Sequence, residues 1–328
     1  MMNSFRLFGM DGTKDFSTQV AYHLDSELHK HHEEYFADHE CYVRSDVNVR
    51  NCDCYVIQSL YSDAKETVAD KFTKLLFFIA SLKDASARRV TAVIPYLAFA
   101  RQDRKTESRA PITARYVAQL LESVTTDRVL TIDAHNLSAE QCSFRIPIDN
   151  LEAKNILADY VASQAIIREQ SSRLVCLSPD SGGAGRTKRF RHALSARLGI
   201  PIKTVYLDKT HDGKIIEGEA IAGDVKNKLV VVIDDMVSSA ATLVECNKAI
   251  KAQGGELWAG CATHPLFVGR INENLSSIDK VIVTDTIKPH RLTPESARKV
   301  HIISVARLFA SAIRRTHDEG GSISDLLK

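Results

Sequence analysis

"LVVVIDDMVSSAAT", residues 229–242, runs from an apolar stretch into two adjacent carboxylates and then into small and hydroxylated residues. A short, unbroken apolar run bounded this way is expected to be a strand buried on both faces, as in a parallel sheet. The chain is then expected to leave the strand at Asp234 and Asp235, turn, and enter a helix near Ala241 or Thr242. Such a turn aims backbone N–H groups and the positive end of a helix dipole at one point, which suits a phosphate. Ser238, Ser239 and Thr242 add hydroxyls to the same turn. Carboxylates facing a phosphate would repel it, so Asp234 and Asp235 fit better on sugar hydroxyls or on a cation that bridges to phosphate. A plain strand-to-helix turn with Asp as the helix cap remains the alternative. Phosphate loops usually carry glycine, whereas this turn holds Ala240 and Ala241.

The same kind of apolar run recurs at 54–58, 90–95, 128–133, 173–178 and 280–285. Helical patterns lie between these runs, at 112–121, 153–164, 186–198 and 241–253. The alternation predicts an α/β fold of βα units around mainly parallel sheets flanked by helices. With 328 residues the chain is expected to form two domains. An Asp closes a strand in "IDAHN" (132–136), "SPDSGG" (178–183) and "IDDMVSS" (233–239), so the two halves echo each other. The division is placed at residues 1–150 and 151–310, with 311–328 as a loosely held tail.

Composition narrows the function. Lysine and arginine total 43 against 41 acidic residues, a formal charge of +2, which gives no reason to expect nucleic acid or a membrane surface as partner. The longest apolar run, 75–80, is too short to span a bilayer. Seven scattered cysteines, and a Cys52-x-Cys54 pair without a second pair, predict reduced thiols rather than disulfides or zinc. A cytoplasmic setting is expected.

Three further clusters carry chemistry. "FARQDRK" (99–105) supplies cations close after a strand, as a polyphosphate requires, or as any solvated basic loop would. Asp133 and His135 stand two apart at a strand end and are expected on one side of it. Asp180 precedes Gly182 and Gly183, which allow close backbone approach before a helix. The histidine-rich stretch 29–43 holds histidines at 29, 31, 32 and 39; they share no helix face, and a solvated, partly titrating surface is expected.

The turn at 234–242 resembles the phosphoribosyl pyrophosphate loop that type I phosphoribosyltransferases and ribose-phosphate pyrophosphokinases share. The segments 95–122, 129–136, 146–151, 177–190, 223–236 and 312–324 resemble the pyrophosphokinases specifically, in family order. The resemblance implies two similar phosphoribosyltransferase-type domains, the first on the ATP side and the second on the ribose 5-phosphate side. It further implies transfer of the β,γ-diphosphoryl group of ATP to the 1-hydroxyl of ribose 5-phosphate, with Mg2+ as cofactor. Carried over position by position, Arg101 and Gln102 contact ATP, and His135 and Asp180 associate with the metal. Asp234, Asp235, Ser238, Ser239, Ala240, Ala241 and Thr242 hold ribose 5-phosphate. Phe36 stacks on adenine donated by a neighbouring subunit, while Asp38 and Glu40 read its edge. A homo-oligomer follows, dimer-based and hexameric or smaller.

Three departures from the family pattern stand out. The catalytic loop 206–214 keeps Lys209 but carries His211 where an arginine is usual, so Lys209, His211 and Arg101 are the expected catalytic set. Arginine is always charged and bidentate, whereas histidine is ionised only in part near neutrality. Ser238 and Ala241 replace residues of the usual Asp-Thr-x-Gly-Thr loop, which predicts weaker binding of the sugar phosphate; Ala241 fits there only with a negative φ, or with left-handed strain of about 1–2 kcal/mol offset elsewhere. The segment 134–150 is one residue longer and lacks the usual Gly and Phe-Phe, which puts phosphate activation and ADP inhibition in question. The competing reading is a non-catalytic subunit that binds a catalytic homologue. A phosphoribosyltransferase would explain 229–242 but neither 95–122 nor 177–190.

Overall fold

The computed structural model describes residues 5–207, 221–318 and 321–327. Residue contacts divide the chain into two units: Met1–Glu152 with Val305–Lys328, and Ala153–Ser304.

The first unit contains strands β1 (Phe5–Gly9), β2 (His31–Tyr35), β3 (Cys41–Ser45), β4 (Asp53–Ile57), β5 (Arg89–Val93), β6 (Arg128–Ile132) and β7 (Ile148–Leu151). Five of them form one parallel sheet in the order β1-β4-β5-β6-β7. Every residue of β4 is buried, the pattern expected of a strand covered on both faces. β2 and β3 form a separate antiparallel ribbon, with Glu34 opposite Tyr42 and Tyr35 opposite Cys41. The helix Val68–Asp84 starts in a capping box: Thr67 Oγ1 accepts the Asp70 N–H, and the Asp70 carboxylate accepts the Thr67 N–H.

Sequence order alone had placed 151–310 in the second domain and left 311–328 as a tail. The helix Ala306–His317 instead belongs to the first unit. Its Phe309 meets Phe16 edge to face, with ring centroids 5.4 Å apart. Its C-terminal end closes on Asp53, a fully buried carboxylate bound by Arg89 and, at 2.8 Å, by His317 Nδ1. A buried acid needs such partners, and the chain returns from the second unit to supply one of them.

The second unit contains β8 (Leu174–Ser178), β9 (Lys203–Leu207), β10 (Ile221–Ala222), β11 (Leu229–Val237), β12 (Glu256–Pro265), β13 (Val281–Thr284) and β14 (Val300–Ile303). They form a seven-stranded sheet in the order β10-β9-β8-β11-β12-β13-β14, parallel except for β10 against β9. The expected α/β architecture of mainly parallel, helix-flanked sheets is what the chain forms. β11 is central, and its first five residues are all buried. Among the described residues, no helix is long and apolar enough to cross a membrane.

Candidate functional site

In the second unit β11 continues three residues beyond the expected stop, to Val237, because Met236 and Val237 still pair with His264 and Pro265 of β12. Asp234 and Asp235 therefore lie within the strand, where successive side chains point to opposite faces. Asp235 is buried, and the Asp234 side chain is 23% exposed. Arg186, on the helix Ala184–Leu198, places Nη1 3.7 Å from Oδ1 of each. Burial, and after it the Asp235 charge, push the Asp234 carboxyl well above the usual carboxylate range; Arg186 opposes them. Arg186 thus lies within reach of both carboxylates. Arg186 was not singled out from the sequence. The signal was an arginine one helical turn inside the segment 177–190.

The turn after β11 is braced by its neighbours. Phe267 and Val268 donate their N–H groups to the carbonyls of Val237 and Ser238, and Asn274 Nδ2 donates to the Ser239 carbonyl at 2.7 Å. The helix begins at Ala241, as expected. Left-handed backbone falls on Ala240, with φ 62°, and not on Ala241, which opens the helix. The reason is packing: the Ala240 methyl is 4% exposed and belongs to the core of the second unit, while Ala241 is exposed. Left-handed alanine costs about 1–2 kcal/mol, whereas burying a methyl returns ~0.8 kcal/mol and glycine would add ~0.4–1 kcal/mol of unfolded-chain entropy. These nearly cancel. Ala240→Gly is therefore expected to change stability by less than about 1 kcal/mol, as read from urea unfolding. A larger gain would show that the strain dominates.

Asp180 follows β8. Its Oδ1 accepts the Gly183 N–H at 2.7 Å, and the Ser178 hydroxyl donates to its carbonyl at 2.8 Å. A Cβ at Gly183 would lie 3.1 Å from Ser178 Oγ, so glycine allows the close approach expected there. The carboxylate is fixed in direction while the residue stays exposed.

In the first unit, β6 ends at Ile132, so Asp133 and His135 lie past the strand in the turn before the helix Leu137–Ser143. The same-side argument from strand alternation does not apply to them, because Asp133 has φ 44°. Asn136 caps that helix, and its Nδ2 donates to Asp103 Oδ2 at 2.5 Å. This bond joins the His135 turn to the loop carrying Arg101 and Gln102, two motifs more than thirty residues apart in sequence. The Thr113 hydroxyl donates to Gln102 Oε1 at 2.5 Å, leaving the exposed Arg101 beside a pinned amide. Beneath the turn, Glu140 is buried and pushed up to about 7, by burial first and then by Asp103. Sequence reading passed over Glu140, since a glutamate in an amphipathic helix looks solvated.

Phe36, Asp38 and Glu40 share the tip of the β2–β3 ribbon. The Phe36 N–H donates to the Glu40 carbonyl, and the Glu40 N–H donates to Asp38 Oδ1 at 3.1 Å. Phe36 is 51% exposed, a large apolar ring held out at a hairpin tip. The histidines divide in a way the sequence did not suggest. His32 and His39 are solvated, as expected. His29 Nδ1 instead accepts the Leu7 N–H at 3.2 Å, and burial, then Arg6, lower its pKa. The His31 side chain is 9% exposed and bonded to Glu33 at 2.7 Å. Periodicity could not show this, because the ribbon buries the face turned toward Phe8 and Phe78. Among the described residues, Asp11, His31 and Glu33 bring ligand-type atoms within 4.8 Å of one another. Lys209 and His211 lie outside the described residues.

A family described as the N-terminal domain of ribose phosphate pyrophosphokinase matches residues 5–124, and the phosphoribosyl synthetase-associated domain matches residues 207–328. The ribose-phosphate pyrophosphokinase of Caldanaerobacter subterraneus is 37% identical over 329 aligned residues, covering 99% of this chain and 98% of that protein. The chain belongs to the ribose-phosphate pyrophosphokinase family. The Campylobacter jejuni member is 34% identical, with 96% and 97% of the two chains covered. The crystal structure of phosphoribosylpyrophosphate synthetase from Mycobacterium smegmatis matches with a TM-score of 0.85 at 29% identity, covering 97% of this chain and 100% of that one. Ribose-phosphate pyrophosphokinase relatives thus span both units, from the ribbon to the terminal helix.

Proposed function

We propose that this chain transfers the β,γ-diphosphoryl group of ATP to the 1-hydroxyl of ribose 5-phosphate, giving phosphoribosyl pyrophosphate and AMP. The observation that carries this reading is the carboxylate pair Asp234 and Asp235, both within reach of Arg186 at the head of a braced turn. Paired carboxylates are suited to sugar hydroxyls, which donate to them, or to a divalent cation. The amides of the first helical turn and the hydroxyls of Ser238, Ser239 and Thr242 would receive the 5-phosphate. Arg101 would neutralise ATP phosphates, with Gln102 beside it, while Phe36, Asp38 and Glu40 would hold adenine.

Mg2+ bound with ATP would neutralise the β- and γ-phosphates. Asp180 fits such a role, because its carboxylate is exposed and directed by the Gly183 amide. His135 is a softer donor and fits less closely, since magnesium prefers oxygen. A homo-oligomer follows from the exposed ribbon tip, if adenine is shared between subunits. A cytoplasmic location accords with the free cysteines among the described residues.

Purified chain with ATP, Mg2+ and ribose 5-phosphate is expected to release AMP and phosphoribosyl pyrophosphate in equal amounts. Absence of AMP across pH and metals would favour the non-catalytic subunit, a reading motivated by His211 in place of the usual arginine. With His211 in the role of the usual arginine, turnover should fall as pH rises and histidine loses its proton. His211→Arg should flatten the profile and raise turnover at pH 8.5 by roughly tenfold. Identical flat profiles in both proteins would remove His211 from the mechanism.

A further inference from the structure

Among the described residues, the β2–β3 ribbon shares no backbone ladder with the five-stranded sheet. Two strands alone are marginal in water; the His29 N–H donates to the Leu7 carbonyl just before β2, and side chains hold the ribbon beyond that point. The strongest anchor lies on the helix Val68–Asp84. Lys74 is 2% exposed, and its Nζ lies 2.5 Å from Glu33 Oε2 on β2 while also pairing with Glu66. The Tyr35 hydroxyl, at the end of β2, donates to the same Glu66 carboxylate, and the Lys74 ammonium lies 5.3 Å from the Tyr35 ring centroid. Burial would lower the Lys74 pKa, but the charges of Glu33 and Glu66 and their hydrogen bonds outweigh it and keep the ammonium charged. Glu33 Oε1 meanwhile binds His31 and the Asp11 N–H, so both of its oxygens are engaged. The group of Asp11, His31 and Glu33 is thereby accounted for without a metal, its negative charge answered by Lys74.

We propose that Lys74, Glu66 and Tyr35 form a positioning cluster that fixes the ribbon tip and so sets the affinity for the nucleotide base. The proposal rests on the adenine reading of Phe36, Asp38 and Glu40 given above. Tyr35 is next to Phe36 in the chain, so a shift at the Tyr35 hydroxyl passes directly to the ring that would stack on the base. The cluster itself touches no substrate and acts through the ribbon.

The test uses the full chain and steady-state kinetics with ATP, Mg2+ and ribose 5-phosphate. Tyr35→Phe removes one hydroxyl without stranding a charge. Glu66→Gln with Lys74→Met removes the central ion pair while His31 and the Asp11 amide remain on Glu33. Both are expected to raise KM for ATP, by roughly tenfold in the double variant. The same variants should leave kcat and KM for ribose 5-phosphate within about twofold and should lower the preference for ATP over GTP. A purely structural role would lower the amount of active protein and would not split the two KM values. Phe36→Ala is the control for the underlying reading. If Phe36→Ala raises KM for ATP while Tyr35→Phe and the double variant do not, the positioning role is overturned. If Phe36→Ala leaves KM for ATP unchanged, the adenine reading fails and the proposal fails with it. Should the double variant not fold, Tyr35→Phe decides alone.

Discussion

Asp234→Asn is expected to make the ligand-free protein harder to melt at pH 8 while reducing kcat/KM on the order of a hundredfold. Both effects come from one carboxylate. In the native chain, burial and then Asp235 hold the Asp234 carboxyl well above its usual range, whereas in the unfolded chain it titrates near ~3.9. Below that value both states carry the proton and the group contributes no pH dependence. Above it, the unfolded chain releases the proton while the folded chain retains it, so folding loses stability as pH rises through this window. Asparagine removes the difference, and the gain in melting temperature should grow between pH 5 and pH 8. In the working enzyme a divalent cation, or the hydroxyl donors of the sugar, would favour the ionised pair. Melting curves at the two pH values, alongside AMP release, check both parts. A variant that melts lower at pH 8, or that retains full activity, would contradict this account.

Lys74→Met on its own should be the most damaging single change in the first unit, costing about 3–5 kcal/mol. The ammonium is buried between two carboxylates, with Glu33 4% and Glu66 8% exposed, so its removal leaves two stranded negative charges in contact with apolar surroundings. For a unit of this size such a loss corresponds to a fall in melting temperature of roughly 10 °C. The pH dependence has a definite sign. Burial raises the Glu33 pKa, but the His31 hydrogen bond and then Lys74 overcome it and hold the group at about 2. Its contribution is thus complete above the ordinary carboxylate range and is lost only as pH falls through about 2. Without Lys74 the Glu33 carboxylate should take up a proton more readily, so the deficit relative to wild type should shrink between pH 7 and pH 4. A deficit independent of pH would mean that lost packing, not stranded charge, is responsible. Adding Glu66→Gln to Lys74→Met should restore part of the stability by removing one of the two charges.

Some of this could be read from residues in a row, and some could not. Runs such as 90–95 and 128–133 are mainly apolar because their strands are covered on both faces, and they point to a parallel sheet. The small, hydroxylated turn at 238–242 likewise marks a strand-to-helix junction, and its family resemblance pointed to a sugar phosphate. Local order nevertheless does not fix details that depend on neighbours. β11 extends to Val237 because β12 offers partners, and left-handed backbone falls on Ala240 because its methyl has a core to enter.

The sequence by itself determined the α/β class, the strands of both sheets that are buried on two faces, and the family of motifs from 95 to 324. Those features rest on composition within a few residues, which any reader of the chain can see. Tertiary structure alone decided that the helix Ala306–His317 returns to Asp53, that Arg186 faces Asp234 and Asp235, and that Lys74 anchors the ribbon through Glu33 and Glu66. Each of these joins charged groups that look solvated in sequence. A buried ion pair is defined by which distant partner arrives to neutralise it, and that information exists only once the chain has folded.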